Sequence, residues 1–120
     1  AQSADGVSWH KTDSAVPYQL NYAQVFSRPS VIKSSEHRLD MWFSYRCGTG
    51  QKYRIGYAYN TGEGWQLALN KSGIDVSESG WDSEMIEYPF VFQHKNKTYM
   101  LYSGNGYGRT GFGLAVLNTP

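Results

Sequence analysis

The sequence predicts an all-β chain made of two four-stranded antiparallel blades of the type that repeats in β-propellers. Three observations carry this. The chain repeats itself with a period of 57 to 60 residues, a little above the roughly 40–50 residues of common blades. Each copy contains short apolar runs separated by glycine and proline turns. No stretch sustains the 3.6-residue periodicity of an amphipathic helix. The ten tyrosines, four tryptophans and thirteen glycines suit short strands and tight turns better than helices.

The repeat is legible residue by residue. Ile55-Gly56-Tyr57-Ala58-Tyr59-Asn60 returns as Phe112-Gly113-Leu114-Ala115-Val116-Leu117, a shift of 57 that also carries Ala58 back onto Ala1. Arg28-Pro29-Ser30-Val31-Ile32 returns as Tyr88-Pro89-Phe90-Val91-Phe92 after 60 positions. Met41-Trp42-Phe43-Ser44 returns as Met100-Leu101-Tyr102-Ser103 after 59. A glycine turn and a tryptophan follow the Gly-x-Ala element, as Asp5-Gly6-Val7-Ser8-Trp9 and again as Gly62-Glu63-Gly64-Trp65. Small drifts in the shift are what unequal loops produce.

In chain order, a tryptophan-turn strand is expected at 7–11, then proline-led, Met-aromatic, Gly-x-Ala and tryptophan-turn strands at 29–33, 38–45, 53–59 and 64–69. A second set follows at 88–93, 98–103 and 111–117. Proline is tolerated at the first residue of a strand, where its missing donor costs little. The glycines of the turns accept positive φ. At 120 residues this is one domain, with repeat 1 at about 12–69 and repeat 2 at about 70–117. The second set lacks its last strand, and the orphan at 7–11 is a candidate to complete that sheet, within one chain or between chains.

Composition excludes several classes. The formal charge is +1 with no long basic run, so no nucleic-acid partner is expected. No apolar run approaches the ~20 residues of a membrane helix, so no membrane partner is expected. A lone Cys47 allows no internal disulfide framework. No signal peptide is read at Ala1. His10, His37 and His94 lack ligand spacing, so no metal site is expected. Gly104-Asn105-Gly106-Tyr107-Gly108 follows a strand without a helix after it, which is not a phosphate loop. No cofactor is expected.

The string Trp81-Asp82-Ser83-Glu84-Met85-Ile86-Glu87-Tyr88-Pro89, the Gly104–Gly108 run and the Arg-Ile-Gly-Tyr-Ala element at 54–58 resemble the last blades of a five-bladed propeller. The similar proteins are glycosidase-like and belong to the glycoside hydrolase superfamily that includes arabinanases, xylosidases and invertases. The resemblance covers nearly the whole chain and about two fifths of such a propeller. It implies carboxylates at the heads of the innermost strands, pointing into a central funnel, one of them commonly just before a strand proline. Glu87, two residues before Pro89, is the best match for a general acid. The first copy has Ser27-Arg28-Pro29 there, with no carboxylate.

Glycoside hydrolysis normally uses two carboxyl groups, one of which must hold a proton at working pH. Asp82, Glu84 and Glu87 are the clustered acids available as catalytic candidates, or alternatively as solvated turn residues. On an extended stretch Asp82 and Glu84 would share a face and Glu87 would take the other. Arg28 is a candidate for binding sugar hydroxyls or a carboxylate, or for locking two blades together. Arg46, Arg54 and Arg109 read as structural. Trp9, Trp42 and Trp65 read as core, whereas Trp81, Tyr88 and Tyr107 are placed to meet a sugar ring. Asn105 offers an amide to a hydroxyl, or forms a turn.

These features lead to an expected oligosaccharide ligand, with little hydrolysis by the chain alone because its carboxylate set is incomplete. An interaction or structural module without a small ligand is the alternative. Two blades leave apolar outer faces, at Val31-Ile32 and Val91-Phe92, so a homo-oligomer is expected, most simply a dimer.

Overall fold

A computed structural model of the chain describes residues 1–13, 16–19, 21–48 and 52–118. The chain is all-β, with two antiparallel sheets. The first runs in order β1 (Val25–Ser35), β2 (Arg38–Arg46), β3 (Arg54–Asn60), β4 (Trp65–Leu67). The second runs β5 (Glu87–His94), β6 (Lys97–Ser103), β7 (Phe112–Val116). Helical structure among the described residues amounts to a 3-10 turn at Leu69–Lys71 and one turn at Asn105–Gly108. No described helix is long and apolar enough to cross a membrane.

Side-chain alternation sorts β2 between two layers. Trp42 joins Ile55, Tyr57, Ile86, Val91 and Met100 in a core between the two sheets. Met41 and Phe43 point the other way, where they pack with Ala23, Ala58 and Leu69. The segment before β1 therefore helps to cover the outer face of the first sheet. The second sheet has no such cover: Phe90, Phe112, Leu114 and Val116 are all exposed, Phe112 to 76%. The register aligns Phe90 with Leu101 and Leu101 with Leu114, making an apolar row across that face. Ile32 and Val91, expected on outer faces, instead lie against or within the layer between the sheets.

The two Gly-x-Ala elements owe their glycines to one geometric demand. A Cβ on Gly56 would lie 2.6 Å from the ring of Phe43, and one on Gly113 would lie 2.5 Å from that of Trp81. In both sheets an aromatic ring rests on bare strand backbone, which only glycine permits.

Residues 7–11 do not form a strand. Gln2 and His10 make an isolated bridge with each other, and the loop between is closed by Asp5, whose Oδ1 accepts from the Val7 and Ser8 amides, each at 2.8 Å. Those amide bonds hold the Asp5 carboxyl down to about 2. Local side-chain bonding has won over sheet pairing here. Trp9, expected in the core, is 61% exposed, and the second sheet has three strands.

Candidate functional site

β1 and β5 each break register at their proline, between Ser27 and Ser30 and between Glu87 and Phe90. At each bulge the residue before proline is left-handed: Arg28 has φ 53° and Tyr88 φ 56°. A residue before proline ordinarily stays extended, and bulky residues rarely adopt positive φ. Side-chain-to-backbone bonds support the two sites across the sheet interface. The Tyr88 amide donates to Ser44 Oγ at 2.7 Å and the Val91 amide to Ser30 Oγ at 2.8 Å.

These bulges bring Arg28 and Tyr88 together, with the guanidinium 4.9 Å from the ring centre. Tyr88 stacks on Tyr107 at 6.2 Å, Tyr107 meets Tyr53 edge-on at 6.1 Å, and Arg46 covers Tyr53 at 5.5 Å. Tyr107 is itself left-handed, at φ 61°, and 59% exposed. Among the described residues the other left-handed non-glycine positions are Asn21, Lys95 and Asn96; the last two make the tight turn between β5 and β6. Arg28, Tyr88 and Tyr107 thus form one cluster of strained, large side chains, the kind of strain that gathers at ligand sites.

Beneath Tyr88 lies Glu87. Its side chain is fully buried, and neither carboxylate oxygen has a hydrogen-bond partner. Burial alone pushes its carboxyl up to about 7, because removal from water penalises the charged form. Tyr88 is raised too, first by burial and then by the nearby Glu87 charge. An acid that keeps its proton near neutrality is suited to proton donation.

The other two acids are engaged elsewhere. Residues 81–86 form turns and irregular chain, so Asp82 and Glu84 do not share a face as expected of an extended stretch. Asp82 turns inward and accepts from the Tyr102 hydroxyl at 2.9 Å; burial and this bond push Tyr102 up to about 12. Glu84 is exposed and paired with Lys52 at 2.9 Å, a bond that lowers its carboxyl below the ordinary range. No hydrogen bond or ion pair among the described residues joins either acid to Glu87.

Trp81 and Asn105, both expected to meet a ligand, make contacts within the fold. Trp81 stacks on Tyr102 at 5.4 Å and lies against Gly104 as well as Gly113, where a Cβ would approach its ring to 2.4 Å and 2.5 Å. Asn105 staples the preceding loop: its Oδ1 accepts from the Glu84 and Met85 amides at 2.7 and 3.1 Å, and its Nδ2 donates to the Gly80 carbonyl at 3.1 Å. Its amide is therefore spent on backbone.

Sequence reading missed Tyr53 as a site residue and assigned Arg46 to structure. The hairpin register that pairs Tyr45 with Arg54 sets the two side by side, and no local motif announces that. A groove of about 470 Å³ runs along Arg28, Ser30, Tyr88 and Phe90. A separate cleft of about 600 Å³ lies between Tyr22, Tyr45, Arg54 and Asp75; it carries an Arg54–Asp75 ion pair at 3.4 Å and no strained residue except nearby Asn21. A buried Asp40 on β2 accepts from Ser34, Tyr57 and Arg38. Burial opposes its charge, but those three bonds together leave its carboxyl lowered, so it acts as a fixed, satisfied anion.

The chain is 48% identical over 121 aligned positions to two uncharacterized proteins of Mycobacterium tuberculosis (strains CDC 1551 / Oshkosh and ATCC 25618 / H37Rv). The alignment takes in 98% of this chain and 38% of each relative, so the chain spans less than two fifths of their length. No family model matches the sequence. No solved structure matches it either.

Proposed function

We propose that the chain is a carbohydrate-binding part of a glycosidase-like β-propeller, its two sheets being two blades of a five-bladed ring similar to arabinanases, xylosidases and invertases. The observation that carries this reading is the matched pair of strained bulges, which bring Arg28 over Tyr88 beside the buried Glu87. Glu87 is the residue assigned the general-acid role. The 38% share of the relatives' length is close to what two blades of five would occupy.

Binding is favoured over catalysis by this chain alone. Asp82 is held by Tyr102 and Glu84 by Lys52, which leaves Glu87 without the second carboxyl that hydrolysis needs. Titration with neutral and acidic oligosaccharides, alongside a reducing-end release assay, tests this. Weak binding without turnover is expected. Turnover that disappears in Glu87→Gln would assign catalysis to the chain itself, and no binding to any sugar would remove the reading.

The bare outer face of the second sheet favours association as well. Phe90, Phe112 and Leu114 are what a neighbouring blade would cover. For the isolated chain we assign that cover to a second copy, in a homodimer centred on β7. An interaction module with no small ligand is the alternative this face supports.

A further inference from the structure

We propose that the Arg28–Tyr88–Tyr107–Tyr53–Arg46 cluster selects acidic oligosaccharides, chains bearing uronate carboxylates, over neutral ones; this rests on the carbohydrate reading above. The cluster carries uncompensated positive charge. Arg38, Arg54 and Lys52 each have a carboxylate within 3.4 Å. Arg28 and Arg46 have no ion-pair partner among the described residues. Among the described residues Arg28 rests on the Tyr88 ring, and Arg46 rests on Tyr53 and donates to the Gly48 carbonyl.

Arg109 also has no ion pair among the described residues, but it is Arg28 and Arg46 that bracket a run of three tyrosines. They stand at opposite ends of the chain of ring contacts from Tyr88 through Tyr107 to Tyr53. Each is held against a ring face, so little side-chain freedom is left to lose when a ligand binds. A guanidinium presents a planar fork of donors that matches a carboxylate with two parallel bonds. The nearby acids do not cancel this charge. Glu84 is neutralised by Lys52, and Glu87 is buried and held toward its neutral form. Two cations spaced along an aromatic surface match a sugar chain carrying carboxylates at intervals. The net charge of +1 and the lack of a basic run do not provide the continuous phosphate-neutralising surface that single-stranded nucleic acid requires.

The test is calorimetric titration of the full chain with an oligogalacturonate and with the same oligomer after reduction of its carboxyl groups. A single-stranded oligonucleotide of equal charge serves as control. The acidic sugar is expected to bind at least tenfold more tightly than its reduced form, and its affinity to fall as salt rises. Arg28→Gln and Arg46→Gln should each weaken the acidic ligand about tenfold, as loss of a charged hydrogen bond implies, and weaken the reduced one by a smaller factor, so that the preference for the acidic sugar narrows. Circular dichroism verifies that both variants are folded. Equal affinity for the two sugars overturns this inference and leaves the carbohydrate reading intact. Failure of both sugars overturns the two together. Oligonucleotide binding as tight as that of the acidic sugar overturns it in favour of general anion attraction.

Discussion

Arg28 and Tyr88 hold the same place in the two halves of the repeat, share a left-handed backbone before proline, and touch, guanidinium to ring, at 4.9 Å. Two equivalent positions thus meet across the interface between the sheets. A left-handed conformation costs an L-residue about 1–2 kcal/mol, so the surrounding structure must hold both in place. At this left-handed position glycine should be better tolerated than alanine, because it accepts positive φ freely. Arg28→Gly is expected to be more stable than Arg28→Ala by about 1 kcal/mol in urea denaturation. The opposite order would show that the position is relaxed.

Glu87 makes stability depend on pH. The folded chain binds its proton more tightly than the unfolded chain does. The contribution is therefore fully present below the ordinary value of 4.5 and is lost as pH rises through about 7. Over that window stability should fall by about 3 kcal/mol. Glu87→Gln should flatten the dependence between pH 5 and 7.5 by a comparable amount, as read by denaturant midpoints. A wild-type curve that rises across this range would mean that the carboxylate has found a cation.

The packing of Trp81 against two glycines is testable by adding one methyl group. Gly113→Ala puts a Cβ where the tryptophan ring stands and should destabilise by about 1–3 kcal/mol, the usual cost of overpacking. Combined with Trp81→Phe, which opens room, the penalty should be less than additive. Strict additivity would show that the ring does not feel the methyl.

Asn105→Ala removes four bonds to the 80–85 loop and leaves the Glu84 and Met85 amides without that acceptor. A loss of about 1–3 kcal/mol is expected, with faster amide exchange at both positions. Unchanged exchange would free Asn105 for a ligand role.

Light scattering at micromolar concentration tests the assembly. A dimer is expected, and Leu114→Asp, which places a charge at the centre of the exposed face, should return it to monomer. A wild-type monomer at these concentrations would contradict the dimer.

Much of the fold was legible because repeats announce themselves along the chain. The Met-aromatic strands fell where their patterns lay, whereas the strand expected to open at Pro29 opens at Val25 and carries Pro29 inside it at a bulge. The strand expected at 7–11 failed because its tryptophan-turn motif describes a partner edge as much as a segment. Without that edge, Asp5 closes the loop on its own amides. Arg28, Tyr88 and Tyr107 were singled out by their places beside proline or in a loop, and Glu87 by the resemblance to glycosidase-like propellers. What sequence could not show was long-range. Trp81 is committed to glycines 23 and 32 positions away, Asn105 reaches back to Gly80, and Tyr53 joins Tyr107 across the sheets.

The central claim, a sugar site at the two bulges, is tested most directly by chemical-shift mapping of the labelled chain during titration with an acidic oligosaccharide. Perturbations are expected to concentrate on Arg28, Tyr88, Tyr107, Tyr53 and Arg46, with the cleft beside Arg54 and Asp75 silent. Perturbations centred on that cleft, or none at saturating sugar, would contradict it.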